Sequence, residues 1–329
     1  MTQARVLIIS PATAAANNGN WHTAWRWSQM LAPHFDVTIA QTWNVEPCDV
    51  MLALHARRSA DSIARWAQTL GVASDAKGLG VVLTGTDLYR DIQTDTAAQA
   101  SLRYADQLVV LQERGADALP ETLRSKTRVI FQSMAVQAAL PKPSDVLHVV
   151  MVGHLRDEKL PQTLMTAARL LNANPGITIE HIGDALDPEL GTLANTCMDD
   201  CPPYRWLGSL SHADTLQKIA QAHILVHTSR MEGGAHVILE AVCSGTPVLA
   251  SRIPGNVGML GTDYAGYFAL DDAQGLADLL LRCHAELNHP NGLLARLLKQ
   301  CTLRAPLFSP ATEQAAVRAL VNDLLHANS

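Results

Sequence analysis

Short apolar runs recur along the chain, each bounded by polar or glycine-containing stretches. In the first half they cover Arg5 to Ser10, Asp36 to Ala40, Asp49 to Leu54, Gly80 to Thr84, Gln107 to Leu111 and Thr127 to Phe131. Continuous runs of this length read as strands buried on both faces. Between most of them apolar residues recur at helical spacing, notably over Ala56 to Leu70 and Glu113 to Leu123. Alternation of strand and helix predicts an α/β fold, a parallel sheet with helices on both faces. The periodicity lapses from Gln132 to Ser144, where Pro141, Lys142 and Pro143 read as a linker. It resumes with strands expected at Leu147 to Val152, Ile177 to Ile182, Tyr204 to Leu207, His223 to His227, Val248 to Ser251 and Tyr267 to Leu270. Two α/β domains in tandem follow. Ser309 and Pro310 mark a last helix, whose apolar spacing runs to Leu325.

Composition narrows the class. A chain of 329 residues, 48% apolar and 17% charged, has enough apolar material for two cores. The formal net charge of −6, with no cluster of Lys and Arg, argues against a general nucleic-acid or membrane-surface binder, so any anion site is local. The run Val6 to Ile9 is too short for a signal peptide and no segment approaches a membrane span, so a cytoplasmic protein is expected. Six scattered cysteines make no disulfide framework. Cys197 and Cys201 with His181 or His212 are a zinc candidate, but the spacing lacks a CxxC pair, and no metal is expected.

Chemistry concentrates in Ser229 to Pro247, SRMEGGAHVILEAVCSGTP. Gly233 and Gly234 allow a sharp turn after a buried strand, before a helix beginning near Ala235, and a helix start of this kind attracts anions. Glu232 and Glu240, eight positions apart, can face one site. Carboxylates beside a diphosphate suit a ligand with hydroxyls to donate, hence a nucleotide sugar over a bare phosphate. Two glutamates on a solvated helix are the plain alternative. At the start of the second half, VVMVGHLRDEKLP sets Arg156 and Lys159 after a strand ending at Gly153, able to neutralise a diphosphate leaving group or simply to sit in a solvated loop.

In the first half, SPATAAANNGNWHTAWRW follows the first strand, with Asn20 a candidate cap for a helix starting at Trp21. Trp21 and Trp25 share a helix face and read as core. His22 and Arg26 share another, either an anionic acceptor site or a solvated face. VVLTGTDLYRD places Thr84 at a strand end, where its hydroxyl can meet a sugar, and His55 closes the third strand as a structural hydrogen-bonder or a site residue.

These stretches resemble the retaining GT-B glycosyltransferases, whose E(x7)E signature runs on into a small-residue, Gly, Thr, Pro, Val segment matched by Cys243 to Val248. The resemblance implies a GT-B fold: two Rossmann-like domains facing a central cleft, over 1–143 and 144–307, and a last helix, 308–329, crossing back to the first. It implies donor-binding roles for Gly19, Gly153, Gly233, Gly234, Glu240 and Thr84, with Lys159 and Glu232 at the reacting bond. The family's Arg is His154 here, so Arg156 is the candidate replacement, and Thr84 stands where the family often has His. Asn18, Asn20, His22 and Arg26 become the acceptor-side candidates.

More narrowly, NNGNWHTAWRW, ALHARRS, LTGTDLY, VGHLRDEK, RMEGGAHVILEA and SRIPGNVGMLG resemble the selenosugar synthases of selenoneine biosynthesis. That likeness implies transfer of a sugar from UDP-N-acetylglucosamine or UDP-glucose to selenophosphate, giving a 1-seleno-sugar, UDP and phosphate; with Arg156, Lys159 and a helix start to neutralise the diphosphate, no cofactor or metal is expected. A GT-B enzyme with a hydroxyl acceptor and a non-catalytic nucleotide-sugar binder are the alternatives. An NAD-dependent oxidoreductase lacks its G-x-G-x-x-G after either first strand.

Overall fold

The structure, a computed structural model, describes residues 3–13, 19–138 and 140–326. The chain divides into two compact units. One comprises Met1–Ser133, Glu232–Gly234 and Pro310–Ser329, the other Met134–Met231 and Ala235–Ser309.

In the first unit β1 (Arg5–Ile9), β2 (Asp36–Ala40), β3 (Val50–Leu54), β4 (Ala76–Val82), β5 (Ala105–Val110) and β6 (Thr127–Val129) form a parallel sheet in the order β2-β1-β3-β4-β5-β6. Its helices are α1 (Gly19–Leu31), α2 (Ala60–Thr69), α3 (Ile92–Thr94), α4 (Thr96–Tyr104) and α5 (Glu121–Arg124). Every residue of β3 is buried, whereas β2, at the sheet edge, is half-buried. The two-residue period of a strand sorts its side chains into two cores. Leu7, Ile9, Met51 and Ala53 enter one; Val6, Ile8, Val50 and Leu52 enter the other.

The second unit repeats the plan with β7 (Leu147–Val152), β8 (Ile177–Ile182), β9 (Tyr204–Gly208), β10 (Ile224–His227), β11 (Val248–Ser251) and β12 (Tyr267–Phe268). All six are parallel, in the order β12-β11-β10-β7-β8-β9, the doubly wound order of a Rossmann fold. Its helices are α6 (Pro161–Leu170), α7 (Pro188–Asp200), α8 (His212–Gln221), α9 (His236–Cys243), α10 (Pro254–Leu260), α11 (Ala273–Ala285) and α12 (Leu293–Arg304).

The last helix, α13 (Pro310–His326), returns to the first unit. Val317, Leu320, Val321 and Leu324 enter its core beside Trp27 and Leu31. Burial of each such side chain stabilises by about 1.5–3 kcal/mol, so α13 belongs to that core.

Ligands of open α/β sheets bind beyond the carboxyl ends of the strands, where the strand order reverses. Those points lie between β1 and β3 in the first sheet and between β7 and β10 in the second.

Two local expectations are corrected and one helix is added. Glu113 to Leu123 is not one helix: Gly115–Ala118 makes a single 3-10 turn, and Pro120, lacking an N–H, separates it from α5. Helix α4 went unread, although Asp95 caps it by accepting from the Ala98 N–H at 2.8 Å. Helix α1 begins at Gly19, so Asn20 lies in its first turn and is not its cap.

Candidate functional site

Strand β7 ends at Val152, and the carbonyl of the next residue, Gly153, is held by His181. That imidazole is fully buried, donates from Nε2 to the Gly153 carbonyl at 3.1 Å and accepts the Tyr204 hydroxyl at Nδ1, 2.8 Å away. Burial, only partly opposed by the Gly153 bond, pushes the His181 pKa down to about 4, so the ring is neutral and its tautomer set. His154 accepts the Asp184 N–H at Nδ1, 3.0 Å away, and its pKa is lowered by partial burial, with Arg156 and Lys159 adding to that and Asp184 opposing it. His154 is thus biased towards its neutral form.

The loop after β7 is stitched to the loop after β10. The buried Thr228 hydroxyl donates to the Lys159 carbonyl at 2.6 Å, the Arg230 N–H donates to the Glu158 carbonyl at 3.0 Å, and the Arg230 guanidinium meets Asp157 at 3.0 Å. The stem of Lys159 lies along Gly153, where an added Cβ would sit 3.5 Å from Lys159 Cδ. Leu160, the next residue, is held at φ +46°, a left-handed conformation costing a non-glycine residue about 1–3 kcal/mol and characteristic of functional loops. Arg156 is exposed, 3.9 Å from Glu158. Three cations, Arg156, Lys159 and Arg230, therefore stand on two tied loops at the switch point of the second sheet. Arg230 escaped the sequence reading, although it sits inside the stretch that carries Glu232.

Glu232, Gly233 and Gly234 form the bend after β10, Glu232 half-buried and Gly233 buried. Glu240 lies on α9, 6% exposed, and its Oε1 accepts from two imidazoles, His212 Nε2 at 2.8 Å and His236 Nδ1 at 3.0 Å. Burial pushes this carboxyl up, but the two imidazoles outweigh it and hold the pKa at about 2. The pair raises His212 in turn. Among the described residues no group of three or more His, Cys, Asp or Glu is placed so that it could hold a metal ion.

In the first unit Asp87 organises the loops after β3 and β4. Its carboxylate accepts the Thr84 N–H at 2.7 Å, the Thr84 hydroxyl at 2.8 Å and the Ala56 N–H at 2.9 Å. The Thr84 hydroxyl thus gives its hydrogen to Asp87 and keeps lone pairs that can accept from a ligand. Asp87 also opens a π-helical turn, Asp87–Asp91, a feature frequent at functional sites. His55 sits at φ +71°, buried, with Nε2 3.3 Å from the Thr86 hydroxyl and its ring 3.8 Å from Asp87 and 3.9 Å from Asp91. Burial, against the pull of Asp87, lowers its pKa.

On α1, Gly19 and His22 are exposed and Asn20 is half-buried, while Asn18 lies outside the described residues. Arg26 has an internal partner: its Nε and Nη2 donate to Glu313 at 2.8 and 3.0 Å. The tryptophan pair is also corrected. Trp25 is 53% exposed and Trp21 half-buried, and the core ring of this helix is Trp27, fully buried with its indole N–H on Glu313 at 2.7 Å.

Solved structures share this architecture. Sucrose-phosphate synthase from Thermosynechococcus elongatus superposes with a TM-score of 0.77 at 17% identity, over 99% of this chain and 100% of that one. A glycosyltransferase from Rickettsia africae gives 0.75 at 14%, over 99% of each chain. HepE of Anabaena, in complex with UDP and glucose, gives 0.70 at 14%, over 97% of this chain and 99% of that one. At these identities the likeness establishes the fold, which is GT-B. Residues 133–286 match the family Glycosyl transferases group 1. Among the described residues no helix is long and apolar enough to cross a membrane.

Proposed function

We propose that this protein is a glycosyltransferase that takes a sugar from UDP-N-acetylglucosamine or UDP-glucose and delivers it to selenophosphate. The observation that carries the donor half is the pair of tied loops at the β7/β10 switch point, with Arg156, Lys159 and Arg230 on them and Glu240 on the helix that follows. As the C1–O bond to UDP breaks, negative charge grows on the diphosphate, and fixed cations stabilise it more in the transition state than in the ground state. Glu232 takes sugar hydroxyls and Glu240 those of the ribose, with Gly19, Gly153, Gly233 and Gly234 giving backbone access to the phosphates. HepE with UDP-glucose bound, at a TM-score of 0.69 and 15% identity, supports UDP as the nucleotide.

The selenophosphate half rests on the sequence resemblance to selenosugar synthases. Its selenium is an anionic nucleophile that needs no strong base. The C1–Se bond forms as the C1–O bond breaks, and water then cleaves the Se–P bond to release phosphate. On the acceptor side His22 is the exposed candidate and Asn18 and Asn20 are the further ones, while Arg26 also anchors α1 to Glu313. A hydroxyl acceptor, saccharide or lipid, is the second reading, favoured by the exposed indole of Trp25 on α1, a surface suited to stacking on a sugar ring. Mass spectrometry of products made from each UDP-sugar with fresh selenophosphate tests the proposal. A selenium-containing sugar supports it, and products formed only with hydroxyl acceptors would refute the selenophosphate half.

A further inference from the structure

The carboxylate of Glu240 is held asymmetrically. A carboxylate oxygen only accepts, so both imidazole nitrogens facing Oε1 carry hydrogen, His212 Nε2 from the first turn of α8 and His236 Nδ1 from the first turn of α9. Oε2 receives no hydrogen bond from any described residue. A glutamate side chain free to turn presents either oxygen in many orientations. One pinned from two helices presents a single oxygen in a single direction, which removes an ordering cost from ligand binding. The two rings also spread the charge of Glu240, which lessens its repulsion of a diphosphate. Among the described residues the titratable groups acting on Glu240 are these two imidazoles, with the Cys243 thiol within electrostatic reach on the same helix.

We infer that His212 and His236 are positioning residues for nucleotide recognition, orienting the open oxygen of Glu240 toward the hydroxyls of a ribonucleoside diphosphate and so setting the preference for ribose over deoxyribose. The inference rests on the reading of Glu240 as the ribose contact. His212 is well exposed, with 70% of its side chain accessible, so the core does not require it there, whereas a positioning role does.

Calorimetric titration of UDP and of 2′-deoxyuridine diphosphate tests this, because a general loss of fold weakens both ligands alike and leaves their ratio unchanged. The native protein should prefer UDP by about ten-fold or more, the value of one hydrogen bond to a charged group. Combined His212→Ala and His236→Ala should bring the ratio to about two-fold or less, and His212→Gln with His236→Asn, which restore amide donors at corresponding places, should recover most of it. Should the double variant fail to fold, His212→Ala alone, which removes an exposed ring, should still cut the preference by about half or more. A ratio lost in Glu240→Ala but intact in the histidine variants would overturn the inference and leave the ribose reading standing. A ratio untouched in Glu240→Ala would overturn both.

Discussion

Replacing Glu313 by alanine should loosen the first unit more than any other single change on α13. The carboxylate is completely buried and accepts four hydrogen bonds, from Arg26 at 2.8 and 3.0 Å, the Trp27 indole at 2.7 Å and the Ser133 hydroxyl at 2.5 Å. Its removal strands an arginine whose side chain is only 17% exposed, together with two polar donors. Deleting one partner of a buried ion pair costs about 3–5 kcal/mol. A unit of this size shifts its Tm by about 2–4 °C for each kcal/mol, so the transition should fall by roughly 6–20 °C. Scanning calorimetry with urea titration of the same variant measures it. Adding Arg26→Met to Glu313→Ala removes the stranded charge and should recover part of the loss. A loss below about 1 kcal/mol would show that water compensates the network and that the helix is held by its apolar face alone. The result also governs how Arg26→Ala is read, since a raised acceptor KM in that variant has to be separated from a weakened α1–α13 junction.

Lys159→Ala should lower kcat by about 10²–10³-fold, equivalent to about 3–4 kcal/mol, while changing the UDP Kd far less; the reverse pattern in steady-state kinetics and calorimetry would refute its role. Turnover should persist in the presence of a chelator if Arg156, Lys159 and Arg230 neutralise the diphosphate as proposed; complete loss on chelation, restored by Mg²⁺ or Mn²⁺, would contradict that. The Glu240 pair should also mark the pH dependence of stability. Glu240 is depressed to about 2 from its ordinary 4.5, so its contribution is present above about 4.5 and fades as the pH falls towards 2; His212 is raised, so its contribution is complete below its ordinary 6.5 and is lost as the pH rises through its folded value. The stability difference between the native protein and Glu240→Gln should therefore be largest between these limits, on the order of 3 kcal/mol, and a difference independent of pH in urea titrations would refute the pairing.

The sheets were legible because strands buried on both faces cannot alternate, and runs such as Val50–Leu54 stand out against any background. The loops after β7 and β10 were legible as breaks in the pattern, since Gly153 and the double glycine interrupt the apolar runs that precede them. What stayed hidden depends on distance along the chain. His212 meets Glu240 across 28 residues and Arg26 meets Glu313 across 287, and no local pattern encodes either. His236 was within reach, four residues before Glu240 on one helix face. Trp21 and Trp25 were misjudged because a pair at helical spacing does not say which face turns inward; Ala24, Trp27, Ser28 and Leu31 mark the buried one. The bond from the Thr84 hydroxyl to Asp87, three residues on, was not read from the sequence.

The most direct test of the account is ³¹P NMR of the purified protein with UDP-N-acetylglucosamine or UDP-glucose and selenophosphate. Sugar transfer to selenium followed by hydrolysis of the Se–P bond predicts that UDP and inorganic phosphate appear in equal amounts, and that neither forms at that rate when the donor or the selenophosphate is withheld. UDP released at the same rate without selenophosphate, or no UDP under any of these conditions, would contradict it.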